Sequence, residues 1–192
     1  MTTSSLIRRS RLEHLEMIER IGDSLDEPIA TIGRVLAHCL AGDGSVFWCG
    51  NGGSAADSQH LAAELVGRFK RDRRPLRSLA LTTDSSVLTC VANDYAFADV
   101  FARQIEGLGR ARDAMIGIST SGNSENIARA VTAAKRLGMV TVGLLGKGGG
   151  SLRALVDHAL IVPSDSTARI QEGHILVGHV LCEVIERELG LD

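Results

Sequence analysis

Five short apolar segments constrain the fold of this chain more than any other feature: "SVFWCG", "LRSLALTT", "DAMIGIS", "MVTVGLLG" and "HALIVP". Each is bounded by turn residues, and helical patterns such as "ENIARAVTAAKRLG" lie between most of them. A strand that is apolar almost throughout must be covered on both faces. Strands alternating with helices therefore predict an α/β fold, a doubly wound five-stranded parallel sheet flanked by helices. A last helix is expected from about Thr167 to Glu188. Ahead of the sheet, Leu12, Leu15, Ile18, Ile21, Leu25, Ile29, Ile32, Leu36 and Leu40 recur at helical spacing. Pro28 suits a first turn and disrupts an interior, so residues 1–41 read as an N-terminal helical hairpin. Such a hairpin packs against another subunit or covers the sheet. No Pro/Gly/Ser-rich linker divides the 192 residues, which predicts a single domain over 1–192.

Composition narrows the function classes. A formal net charge of −2 gives no general reason to bind nucleic acid, and 3% aromatics are too few for a base-stacking surface. Cys39, Cys49, Cys90 and Cys182 are widely spaced with no CxxC, which reads as buried thiols of a reducing compartment. The stretch "MTTSSLIRRSRLEHLEM" lacks the apolar core of a signal peptide, and no apolar run reaches membrane-spanning length. A cytoplasmic protein with no membrane partner is expected.

In open parallel sheets, ligands bind beyond the carboxyl ends of the strands. Strand one ends in "GNGGS" and strand three in "STSGNSEN"; both are small, hydroxyl-bearing and open a helix. Backbone N–H groups at a helix N-terminus form an anion site. Ser119, Thr120, Ser121 and Ser124 can surround one phosphate. Neither loop carries a P-loop Lys-Ser/Thr or GxGxxG, which favours a sugar phosphate over a nucleotide. The alternative is a pair of ordinary capped turns, since Ser and Asn are good N-caps. "GKGGGS" after strand four reads as a plain turn, although Lys147 could lend charge. Asn93 and Asp94 in "ANDYAF" are polar groups able to meet sugar hydroxyls if the strand-two side faces the site.

His60 and Glu64, four residues apart, share a helix face after the first of these loops. "ARIQEGHILVGHVL" places Gln171, Ile175 and His179 on one broad face of the last helix, with His174 offset as a packed or hydrogen-bonded residue. Gly173 and Gly178 weaken that helix by about 1 kcal/mol each against alanine, so they point to close packing. The run "GRFKRDRRPLR" reads as a solvated loop whose Arg68 can draw anions towards the cleft.

"GNGGSAADSQHLAAEL", "VANDYAF", "ISTSGNSEN" and "PSDSTARIQEGHILVGH", in this order, resemble the phosphoheptose isomerases of the sugar isomerase (SIS) superfamily. The resemblance runs from about Gly44 to the C-terminus and implies an SIS fold. It implies an aldose–ketose isomerase that interconverts sedoheptulose 7-phosphate and the manno-heptose 7-phosphate through an enediol. That product feeds nucleotide-activated heptose for lipopolysaccharide or capsule. A homotetramer with active sites between subunits is implied, with one zinc per subunit on His60, Glu64, Gln171 and His179. Implied substrate contacts are Asn51, Gly52, Gly53, Ser54, Glu64, Asn93, Asp94, Ser119, Thr120, Ser121, Ser124 and Gln171, with Glu64 as base and His179 as acid. On a regular helix Gln171 and His179 are separated by about 12 Å of rise, so they share one ion only if the side chains converge or the first turn is irregular. "GKGGG" departs from the family pattern, where an acidic residue commonly follows the lysine. Two rivals remain. One is a non-catalytic relative that binds the bacterial replication initiator, which would lack the acid histidine and vary "STSGNS"; the other is an isomerase for a different sugar phosphate. A transcription regulator would need a DNA-binding domain that residues 1–41 do not supply.

Overall fold

The computed structural model describes residues 2–191. Five parallel strands, β1 (Val46–Gly50), β2 (Ser78–Ala80), β3 (Ala114–Ser119), β4 (Val140–Leu145) and β5 (His158–Ile161), form one sheet in the order β2-β1-β3-β4-β5. They coincide with the five apolar segments. The α-helices are α1 (Thr3–Ala41), α2 (Gly53–Val66), α3 (Ser85–Asp94), α4 (Ala102–Leu108), α5 (Glu125–Arg136) and α6 (Thr167–Glu188).

Because successive side chains on a strand point to opposite faces, each strand feeds two cores. Val46, Trp48, Ile116 and Ile118 pack with α1, α2 and α6. Phe47, Cys49 and Met115 pack with Val91 of α3, Ile105 of α4 and Ile127 of α5 on the other side. Strand order reverses between β1 and β3. The right-handed crossovers therefore send α2 and α5 to opposite faces and open a crevice between the two strand ends. The loops "GNGGS" and "STSGNS" flank that crevice.

The expected hairpin is corrected: α1 is a single helix through Pro28. Proline in a helix interior removes one hydrogen bond and crowds the preceding turn, at about 3 kcal/mol. Continuous packing offsets this. Ile21 and Leu25 before the proline and Ile29, Ile32 and Leu36 after it all lie in one buried core, and α1 runs along α6. The first turns differ, because Leu6, Ile7, Leu12 and Leu15 are each about half exposed. Cys39, Cys49 and Cys182 are buried thiols, but Cys90 on α3 is exposed, contrary to expectation. No helix among the described residues is long and apolar enough to cross a membrane.

Candidate active site

The first loop turns at Gly52, whose φ of +57° and ψ of −120° strain any residue with a Cβ. That turn aims α2 with its N-terminus at the crevice. No side chain caps α2, and none caps α5. Ser124 stands at the N-cap of α5, yet its Oγ lies 2.9 Å from Ser119 Oγ instead of capping the helix. Ser119 Oγ also accepts the Gly122 N–H at 3.1 Å, and Ser121 Oγ accepts from Asn123 N at 3.2 Å. These are not ordinary capped turns: the hydroxyls brace the loop, while first-turn N–H groups of both helices stay free of side-chain caps. Ser54 is buried at the start of α2.

The two loops are tied together. Asn51 Nδ2 donates to Asn126 Oδ1 at 2.9 Å, and Asn126 Nδ2 donates to Asn51 Oδ1 at 2.8 Å. This reciprocal amide pair crosses the crevice and fixes its width. Asn126 was not among the expected site residues, although it closes the "STSGNSEN" block. "GKGGGS" is also more than a turn. Gly122, at φ +68°, has no room for a side chain because the Gly149 carbonyl backs onto it. Leu152 N donates to Gly122 O at 2.9 Å and Ser151 N to Asn123 Oδ1 at 2.9 Å. The third glycine turn is thus the back wall of the second loop.

The other end of the site is built by helix packing. A Cβ on Gly178 would stand 2.5 Å from Leu61 Cδ1, so glycine lets α6 lie directly on α2, as its position suggested. That approach brings His179 to His60, with Nε2 atoms 3.0 Å apart, and His60 Nε2 lies 3.2 Å from a Glu64 carboxylate oxygen. One ligand atom from each of His60, Glu64 and His179 falls within 4.8 Å of the others. Asp57, one turn before His60, has its pKa raised by burial and lowered less by His60, and its Oδ2 is buried without a hydrogen-bond partner. His174 is fully buried and its Nε2–H donates to Leu145 O at 3.0 Å, which anchors α6 to β4. Burial lowers its pKa to about 4, so it is a neutral structural histidine.

Three of the four expected metal ligands, His60, Glu64 and His179, meet within one chain; the fourth is Gln171. It sits inside regular α6, eight residues before His179, where its carboxamide abuts Gly53 at the head of α2. Gln171 therefore faces the anion-loop end of the site. Asn93 and Asp94 lie exposed at the end of α3, with Asn93 Nδ2 donating to Asp94 Oδ1 at 2.8 Å. Thr120 is half-buried beside Ser119, its carbonyl against Gly146.

The donor set fits a zinc ion. Ligands at about 2.0–2.1 Å in a tetrahedron are spaced about 3.3 Å apart, close to the 3.0 Å and 3.2 Å that separate His60 from His179 and from Glu64. They also comprise nitrogen and carboxylate oxygen, the donors that zinc favours.

Residues 12–146 match the family model described as SIS domain. The chain is 50% identical over 182 residues to phosphoheptose isomerase 1 of Campylobacter jejuni, covering 95% of this chain and 97% of that protein. It is 51% identical to a phosphoheptose isomerase of Helicobacter pylori, with 96% of each covered. Among solved structures, the phosphoheptose isomerase of Neisseria gonorrhoeae superposes with a TM-score of 0.93 at 42% identity, covering 97% of this chain and all of that one.

Proposed function

We infer the reaction from one premise: the chain belongs to the SIS-domain family and, within it, to the phosphoheptose isomerases. The substrate pair is sedoheptulose 7-phosphate and D-glycero-D-manno-heptose 7-phosphate, interconverted through an enediol. One observation carries the assignment: a carboxylate on α2 and an imidazole on α6 converge beside two glycine- and hydroxyl-bearing loops whose helix N-termini carry no side-chain cap.

Isomerisation removes a proton from the carbon beside the carbonyl and returns it to the neighbouring carbon. Glu64 takes and returns that proton in this reading, and His179 exchanges protons with the sugar oxygens. The N-terminal N–H groups of α2 and α5, with Ser54, Thr120, Ser121 and Ser124, hold the distant phosphate. That remote binding energy orients the reacting carbons. Gln171, beside Gly53, reaches the sugar between the two ends, while Asn93 and Asp94 offer contacts to its hydroxyls from the strand-two side. His60, Glu64 and His179 would hold a zinc ion, which when bound polarises the substrate oxygens. Gln171 would complete that set, in a homotetramer whose sites lie between subunits. The exposed Leu6, Ile7, Leu12 and Leu15 of α1 supply apolar surface for such assembly. The product would enter nucleotide-activated heptose synthesis for lipopolysaccharide or capsule, in the cytoplasm.

Retention of His179, Glu64 and the whole "STSGNS" loop in one working arrangement speaks against a non-catalytic initiator-binding relative. The test is to incubate the purified protein with sedoheptulose 7-phosphate, with and without a chelator, and follow heptose formation by NMR. Steady formation of the manno-heptose phosphate is expected. Tight binding to the replication initiator with no turnover of any heptulose phosphate would sink the assignment.

A further inference from the structure

Most of the basic run after α2 is exposed as a solvated loop should be, but the Arg73 side chain is not. Arg73 is buried with Glu186 of α6, each side chain 2% exposed, and Arg73 Nε lies 2.8 Å from Glu186 Oε1. The same guanidinium donates to the carbonyls of Glu64 (2.8 Å), Leu65 (2.8 Å), Gly67 (3.2 Å) and Arg74 (3.1 Å). It thereby closes the C-terminal end of α2, where carbonyls lack helical partners. Glu186 Oε1 also accepts the Phe69 backbone N–H at 3.3 Å. The Phe69 ring in turn stacks on the His179 imidazole, with centroids 5.3 Å apart and planes inclined by 17°. His60 approaches the same imidazole at a steep tilt, with centroids 5.1 Å apart.

We propose that Phe69, held by the buried Arg73–Glu186 pair, is a positioning residue that sets the plane of the His179 ring, and that the pair locks Glu64 and His179 into one geometry. Glu186 lies two helical turns beyond His179 on the same face of α6, so one carboxylate references the loop to the helix that carries the imidazole. Arg73 grips the backbone carbonyl of Glu64 itself. A buried Arg–Glu pair is weak evidence for stability, because well-packed apolar residues are often as good or better. Its use here is geometric. Phe69 fits this role because an offset aromatic stack restricts an imidazole's plane without competing for its nitrogens.

The inference rests on the isomerase reading for its kinetics but has a readout of its own. The first measurement is steady-state turnover of sedoheptulose 7-phosphate by the full-length protein and by Phe69→Ala and Phe69→Tyr. Phe69→Ala is expected to lower kcat by roughly 10- to 100-fold, the scale of a small misplacement at a reacting centre, with KM little changed. Phe69→Tyr, which keeps the stack, restores it. The double variant Arg73→Met/Glu186→Leu is expected to stay folded, judged by circular dichroism, and to lose kcat similarly. The second measurement is the ring-proton NMR resonance of His179, assigned with His179→Asn. The stacked ring shields it in the wild type, and Phe69→Ala moves it downfield whether or not substrate turns over. An unmoved resonance, a loss confined to KM, a Tyr variant as slow as Ala, or a folded double variant with wild-type kcat would each overturn the proposal. No turnover by the wild type would remove the isomerase reading instead and leave the resonance shift to decide the stack.

Discussion

The two ends of the crevice are made in different ways. The loop end is mostly local: Ser119, Gly122 and Ser124 fall within six residues and brace one another through short-range bonds, while the Asn126–Asn51 amide pair ties this loop to the first one. The His60–Glu64–His179 end joins residues 119 positions apart in the chain, and its geometry depends on how closely α6 lies on α2. Damage to the first end should weaken grip on the substrate. Damage to the second should slow chemistry even with the side chains still present.

Glu64→Gln is expected to have the largest effect, about 10²–10⁴-fold in kcat, with an unchanged circular dichroism spectrum. Near-normal turnover would remove Glu64 from the mechanism and the contrast with it. His174 gives the next effect. Its pKa falls from an ordinary 6.5 to about 4 in the fold, so the unfolded chain binds the proton more tightly. Stability from this group is complete above about pH 6.5 and is lost as pH falls towards 4, by about 3 kcal/mol at about 1.36 kcal/mol per unit. Urea titrations across that window should show the loss, and His174→Gln should flatten it. Gly178→Ala should cost about 1–3 kcal/mol by overpacking Leu61 and lower kcat more than it raises KM, read by thermal melts and kinetics. Asn126→Ala should do the reverse. It leaves the Asn51 amide without its partner, at about 1–3 kcal/mol, and should raise KM while largely sparing kcat. If instead it lowers kcat alone, the two ends are not separable. Smallest is the response to zinc: added metal should raise the melting temperature of the wild type and not of His60→Ala, as calorimetry can check.

How legible these features were in the sequence follows the same division. The strands were readable because burial on both faces of most of them leaves few polar positions, and the last helix because its apolar pattern is long. Both anion loops announced themselves through glycines and hydroxyls at strand ends. Pro28 was misleading because its local penalty is smaller than what packing against α6 supplies over a 39-residue helix. Arg73 was misleading for a similar reason. A run of five arginines and a lysine in eleven residues looks solvated, and nothing local marks the one whose partner, Glu186, lies 113 positions away. Asn126 was in plain view, but its reciprocal bond to Asn51 exists only once β1 and β3 are neighbours.

Sequence alone determined the layered α/β class, the number of strands, the place of both glycine- and hydroxyl-rich turns, and, through four motif blocks, the family. Those features are written in short-range patterns of polarity and backbone freedom. Tertiary structure alone decided that α1 is unbroken, that Gln171 stands at the loop end while His179 meets His60, and that a buried arginine secures Glu64. Each depends on distances between helices that touch, and such distances follow from the packing of the whole core.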